Sequence, residues 1–122
     1  LKGNNNIPFV NEDSKMQNAL KILKQKNLGL VIVRNSKKNT IGLLSDGDIK
    51  RIIQKNQDMK NLKVKKVMTL NPKTINQDML VTKALYLMQK NKIMTLCVNN
   101  KKSPKKTIGI IRVLNILEAN IQ

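Results

Sequence analysis

Residues 16–53 of the chain reappear in altered form at residues 81–117, so whatever one copy folds into, the other must fold into as well. In the first copy Met16, Ala19, Leu20 and Leu23 stand at i, i+3, i+4 and i+7, and in the second Val81, Ala84, Leu85 and Met88 repeat the spacing. Each set lays one apolar stripe along a helix. Asp13 and Asp78 precede these helices at matching places, where a side-chain acceptor can cap free amides. The apolar runs Leu28–Val33 and Ile93–Val98 come next; they are short and rich in β-branched residues, which favours buried strands. After polar loops, Thr40-Ile41-Gly42-Leu43-Leu44 is echoed by Thr107-Ile108-Gly109-Ile110-Ile111, a second strand in each copy. A short helix closes each copy, through Ile49, Ile52 and Ile53 and through Val113, Ile116 and Leu117. Extended segments lead in at Ile7–Val10 and Pro72–Ile75.

The expected unit is therefore β-α-β-β-α, used twice, which places the chain in the α+β class. With 122 residues in all, half of the chain has too small a core to be secure alone. Two copies packed sheet against sheet, as a pseudo-twofold pair, would bury what each leaves open. The expected division is a linker over 1–6, a first repeat over 7–61 and a second over 62–122, with the polar stretch Gln54–Lys66 joining the halves. The chain begins with Leu and shows no signal peptide, so it reads as the continuation of a longer, cytoplasmic polypeptide. No apolar run approaches the roughly 20 residues that span a bilayer.

A net charge of +17 ordinarily raises nucleic acid or an anionic membrane surface as partners. Here the cations are 21 Lys and only 3 Arg, whereas Arg is preferred for bidentate phosphate and base contacts. The 17 Asn and 14 Ile beside them suggest a codon bias rather than a polyanion partner. Phe9 and Tyr86 are the aromatic residues, too few for a stacking platform. Neither nucleic acid nor membrane is an expected partner, although the charge biases any ligand towards anions. With no His, imidazole chemistry is excluded. The Asp46-Gly47-Asp48 pair lacks the ligand series of a calcium loop. No Walker loop or Gly-x-Gly-x-x-Gly fingerprint appears. No catalytic residue, metal or certain cofactor is expected. Cys97 lies in an apolar run and reads as a small core residue, and Met16, Met79, Met88 and Met94 read as core filler.

The doubled β-α-β-β-α unit, the lead-in Val67-Met68-Thr69 with Asn71-Pro72-Lys73-Thr74-Ile75, and the closing motif Gly42-Leu43-Leu44-Ser45-Asp46-Gly47-Asp48 resemble the CBS repeat family. More narrowly, Ile7-Pro8-Phe9-Val10, Leu28-Gly29 and Ser45-Asp46-Gly47-Asp48-Ile49-Lys50-Arg51 resemble the C-terminal half of bacterial arabinose-5-phosphate isomerases. In that family a sugar-isomerase (SIS) domain interconverts D-ribulose 5-phosphate and D-arabinose 5-phosphate for Kdo and lipopolysaccharide synthesis. The resemblance implies a regulatory module that is not itself an enzyme, fused to an SIS domain and self-associating through its CBS pairs, with a nucleotide or nucleotide-sugar as effector.

The resemblance also implies a site. Asp48 would accept ribose hydroxyls and Ser45 would contact phosphate, with Gly42 letting backbone approach the ligand. Lys50 and Arg51 would offset phosphate charge, and backbone near Ile7-Pro8 and around Thr74 would contact a base. A second reading stands beside this one: Ser45 as an N-cap, with Asp46 and Asp48 favouring the helix dipole. The second copy departs from the pattern, with Arg112 at the hydroxyl position and Asn115 at the acid position. The isomerase family carries a His-Met-His-Asp run there, so the roles of those histidines do not transfer. Arg112 reads either as structure or as a grip for an anion such as the sugar acid of CMP-Kdo. A ligand-free dimerisation module is the alternative function.

Overall fold

The pairing of strands follows directly from the duplication. In a computed structural model describing residues 7–26, 28–55, 58–113 and 116–117, strand β1 (Phe9–Asn11) leads to helix α1 (Met16–Lys26), strands β2 (Leu30–Arg34) and β3 (Thr40–Ser45), and helix α2 (Asp46–Gln54). A 3-10 turn at Val64–Lys66 and a short strand β4 (Thr69–Leu70) follow. The second pass comprises β5 (Thr74–Asn76), helix α3 (Val81–Asn91), β6 (Thr95–Asn99) and β7 (Thr107–Arg112), and Val113, Ile116 and Leu117 are helical. The class is α+β, as the patterning implies.

The duplication extends to the register. Strand β1 runs parallel to β2 with Phe9 opposite Ile32, and β5 runs parallel to β6 with Thr74 opposite Cys97. Each central strand then pairs antiparallel with the next, and each pair slips once at the same place, between Val33 and Arg34 and between Val98 and Asn99. One compact unit spans Pro8–Pro72, and the other holds Ile7 with the chain from Lys73 onward.

Each unit has its own core. In the first, Val10, Met16, Ala19, Val31, Val33, Leu44, Ile52 and Val64 pack together; in the second, Ile75, Ala84, Met88, Leu96, Val98 and Ile116 do so. Alternate residues of β2 and β6 face the helices, as the period of a strand requires. The stripe on α3 is less complete than its spacing implies, because Val81 is 53% exposed.

Met94, read as core filler, is instead 69% exposed. Three further expectations need correction. Asp13 and Asp78 do not cap the helices. Asp13 pairs with Lys65 at 3.0 Å and Asp78 with Lys101 at 2.9 Å, while the residue before α3, Leu80, makes no side-chain cap. Asparagines shape these corners instead: Asn11 and Asn76 accept from the N–H groups of Asp13 and Asp78, and Asn35 and Asn100 accept from those of Lys37 and Lys102. Such turns suit Asn because its short side chain mimics a backbone turn. Second, the stretch following α2 is more than a polar joint. Val64 is fully buried, Met59 and Leu62 pack on the first core, and Leu62 and Val64 bond to the backbone of Met16 and Ser14 at 2.8 Å. Third, the lead-in Thr69-Leu70 pairs with Gly42 and Leu43, giving the first sheet a fourth strand, in the order β1-β2-β3-β4. Among the described residues no helix is long and apolar enough to cross a membrane.

Candidate functional site

The closing motif of the first copy folds into the junction of β3 and α2. Ser45 ends β3 in extended conformation and stands as N-cap of α2. Its Oγ accepts from the Asp48 N–H at 3.4 Å, and its own N–H donates to Asp48 Oδ2 at 2.8 Å. This reciprocal pair is a capping box, satisfying two amides that a helix start leaves open. The Ser45 hydroxyl also donates to Asp48 Oδ2 at 3.1 Å. The other oxygen, Oδ1, accepts from Thr69 Oγ1 at 3.0 Å and from Arg51 Nη2. The Asp48 side chain is 1% exposed and that of Arg51 60% exposed, so the guanidinium stands between a buried carboxylate and solvent. The two oxygens thus divide their work: Oδ2 holds the cap, while Oδ1 holds two side chains.

Beside this cluster lies a hollow of about 360 Å³. Asp48, Arg51, Ile52 and Lys55 of α2 line one side, and Leu62, Lys66 and Val67 line the other. All of these belong to the first unit.

The expected site residues divide as follows. Ser45, Asp48 and Arg51 come together. Lys50 is exposed on α2 and, among the described residues, forms no ion pair with the cluster. Gly42 sits on β3, and the atoms that close on it belong to the chain itself. A Cβ there would lie 2.7 Å from Met68 Sδ and 2.9 Å from the Thr69 carbonyl oxygen, so the missing side chain admits β4. Pro8 is fully buried, and its carbonyl accepts from the Ile32 N–H at 2.7 Å, which commits it to the sheet. Ile7 and Thr74 belong to the second unit, the first buried and the second exposed. Arg112 ends β7 opposite Thr95 and is half-buried; Asn115 lies outside the described residues. Thr69, Lys55 and Lys66 were not singled out by sequence reasoning. A signal for Thr69 was present, since it closes the Val-Met-Thr lead-in, but its partner Asp48 is 21 positions away.

Gly42→Ala is expected to lower stability by about 1–3 kcal/mol, the usual range for overpacking. Backbone of β4 cannot rotate aside as the Met68 side chain can. A denaturant midpoint unchanged from that of the parent protein would refute the close approach.

The comparisons with known proteins bear on the whole chain. An uncharacterised protein of Helicobacter pylori strain J99 is 31% identical over 119 residues, covering 96% of this chain and 35% of its own. The arabinose 5-phosphate isomerase KpsF of Escherichia coli is 27% identical over 109 residues, covering 89% of this chain and 33% of its own. The chain thus spans about a third of the length of the curated relatives it matches. Among solved structures, a CBS domain protein from Pyrobaculum aerophilum complexed with AMP superposes with a TM-score of 0.83 at 17% identity, over 100% of this chain and 95% of that one. The CBS domain model matches residues 4–55 and again 64–121, and the chain belongs to the CBS domain family as a tandem pair of its repeats.

Proposed function

We propose that this chain is a regulatory, ligand-sensing CBS pair that binds an anionic nucleotide or nucleotide-sugar and controls a sugar-phosphate isomerase domain of the same polypeptide, in the cytoplasm. The observation that carries this reading is the match of nearly the whole chain to one third of an arabinose 5-phosphate isomerase, which leaves the larger part of that relative for catalysis. The effector would then act on a sugar-isomerase (SIS) domain making D-arabinose 5-phosphate for Kdo and lipopolysaccharide synthesis. Adenine nucleotide is one candidate, supported by the AMP bound to the Pyrobaculum protein. CMP-Kdo, the pathway's end product, is the other.

The ligand site is proposed around Ser45 and Asp48. The division of the carboxylate supports this: ribose hydroxyls would replace Thr69 and Arg51 at Oδ1, donor for donor, while Oδ2 keeps the cap. Phosphate would lie towards Ser45 and the first amides of α2, with Lys50 and Arg51 offsetting its charge. By the sequence pattern alone, Ile7 and Thr74 are proposed base contacts, Pro8 having given its carbonyl to the sheet, and Arg112 with Asn115 is a proposed second site. Exchange at Oδ1 frees Thr69 and with it β4, so the ligand would distinguish two states, as regulation requires.

Calorimetry and thermal shift with AMP and CMP-Kdo test this. A ligand at 100 times its Kd adds about 2.7 kcal/mol of stability, and Asp48→Asn should abolish the increment while circular dichroism shows the fold retained. Absence of heat and of any shift with both compounds would end the nucleotide reading. The apolar residues left exposed around α3, Leu80, Val81 and Tyr86, favour a second reading as a dimerisation module without ligand. It predicts no shift but a mass that rises with protein concentration.

A further inference from the structure

We infer that the hollow between the C-terminal half of α2 and residues 62–67 is a binding site for a phosphoryl or pyrophosphoryl group, held by Arg51, Lys55 and Lys66. Its volume of about 360 Å³ falls within the roughly 300–1,000 Å³ typical of small-molecule sites. Its lining carries three cations and one carboxylate, and that carboxylate is buried at the edge of the hollow with both oxygens engaged. Lys55 and Lys66 are exposed and make no ion pair among the described residues. An anion entering here meets positive charge without competition from a free acid.

In a chain with 21 Lys, lysines beside a hollow would mean little alone. The informative residue is Arg51, one of three Arg. Its guanidinium is anchored through Nη2 to Asp48 Oδ1, which leaves the outer donors of the planar fork for a second oxyanion. Asp48 is thus a positioning residue: it fixes the direction of the fork before any anion arrives, and part of the ordering entropy is lost in advance. The supporting elements are fixed as well. The capping box locks the start of α2, and the turn bearing Lys66 is tied down by buried Val64, whose carbonyl accepts from the N–H groups of Val67 and Met68 at 3.0 Å.

This deepens the nucleotide reading, with which it shares Asp48 and Arg51, and adds the hollow with Lys55 and Lys66. The probe is sodium pyrophosphate, titrated calorimetrically into the full chain at constant ionic strength set with chloride. Saturable binding is expected. Lys55→Gln and Lys66→Gln should each weaken it about tenfold, as loss of a charge-assisted contact does, while Lys21→Gln and Lys24→Gln on α1, which do not line the hollow, leave it unchanged. Arg51→Lys keeps the charge but loses the fork and should weaken binding comparably. Asp48→Asn separates positioning from bulk charge: removing a negative charge tightens anion binding if only net charge matters, and loosens it if the fork must be held. No saturable heat, equal losses for the α1 lysines, or unchanged affinity in Arg51→Lys would each overturn the site. Should Asp48→Asn not fold, Arg51→Lys decides alone. Pyrophosphate binding without nucleotide binding would sink the nucleotide reading and leave this one standing. Nucleotide binding without pyrophosphate binding, indifferent to Lys55 and Lys66, would do the reverse.

Discussion

Asp48→Ala is expected to destabilise the protein by about 3 kcal/mol and to lower its Tm by about 10 °C. Three losses combine. The capping box goes, which alone costs about 1 kcal/mol. The Ser45 N–H, which donates to Asp48 Oδ2 at 2.8 Å, loses its acceptor at a partly buried position, and an unmet donor costs about 1–3 kcal/mol when water cannot replace its partner. Thr69 Oγ1 loses the contact that fastens β4 to α2. The total stays at the lower edge of the 3–5 kcal/mol seen when buried ion pairs are broken, because Arg51 is 60% exposed and its charge returns to water. The series checks the assignment. Asp48→Asn keeps one acceptor oxygen and should lose roughly half as much. Arg51→Ala, leaving the carboxylate with the donors of Ser45 and Thr69, should lose about 1 kcal/mol or less. If chemical denaturation gave Asp48→Ala and Arg51→Ala equal effects, the pair rather than the cap would govern the junction.

That ranking also shows what the sequence could and could not convey. The duplicated stripes, the β-branched runs and the Gly-apolar-apolar-Ser motif are local patterns, and local patterns fix helix and strand periods. They match the order β-α-β-β-α in the first copy and β-α-β-β in the second, where Val113, Ile116 and Leu117 are helical beyond it. Capping by Ser45 was one of the two readings open at the motif, because a serine with an acid three positions on is a capping box at short range. What escaped notice lies at long range. Nothing near Thr69 says that it reaches Asp48, and nothing near residues 62–64 says that they lie along residues 14–16. The polarity of the stretch after α2 concealed single apolar residues, Leu62 and Val64, that anchor it. The asparagines were legible but misjudged: abundance suggested codon bias, whereas Asn11 with Asn76 and Asn35 with Asn100 occupy equivalent corners and shape the turns in both units.

The two copies also differ where chemistry would be expected. Ser45 has Arg112 as its counterpart at the end of the matching strand, opposite Thr95 as Ser45 is opposite Leu30. An arginine has no acceptor to offer a helix start, so the box that organises the first junction cannot be rebuilt in the second. Among the described residues, the buried carboxylate, its guanidinium and the adjoining cationic hollow belong to the first unit.

The second large effect concerns Cys97. At pH 8 the folded protein is expected to resist thiol reagents by roughly a thousandfold relative to the unfolded chain, in which Cys97 should react promptly with stoichiometry of one. The residue is fully buried on β6, and burial pushes its thiol up to about 12, against a smaller opposing effect of the Thr107 side chain. A free thiol titrates near 8.5, so some three decades of thiolate are lost on folding, before steric protection adds to them. The sign for stability follows from proton linkage. The folded state holds the proton more tightly than the unfolded state, so this contribution is complete below the unfolded value and declines as pH rises from about 9 towards 12. The slope approaches about 1.4 kcal/mol per pH unit at most. The many lysines titrate in the same window, so the measurement is a difference: the stability of the parent protein minus that of Cys97→Ala, by urea denaturation at pH 8, 9, 10 and 11. The difference should shrink with pH, since Ala has no thiol to ionise while the lysines are common to both. A difference independent of pH, or rapid labelling of the folded protein at pH 8, would place the thiol within reach of solvent and contradict a closed second core.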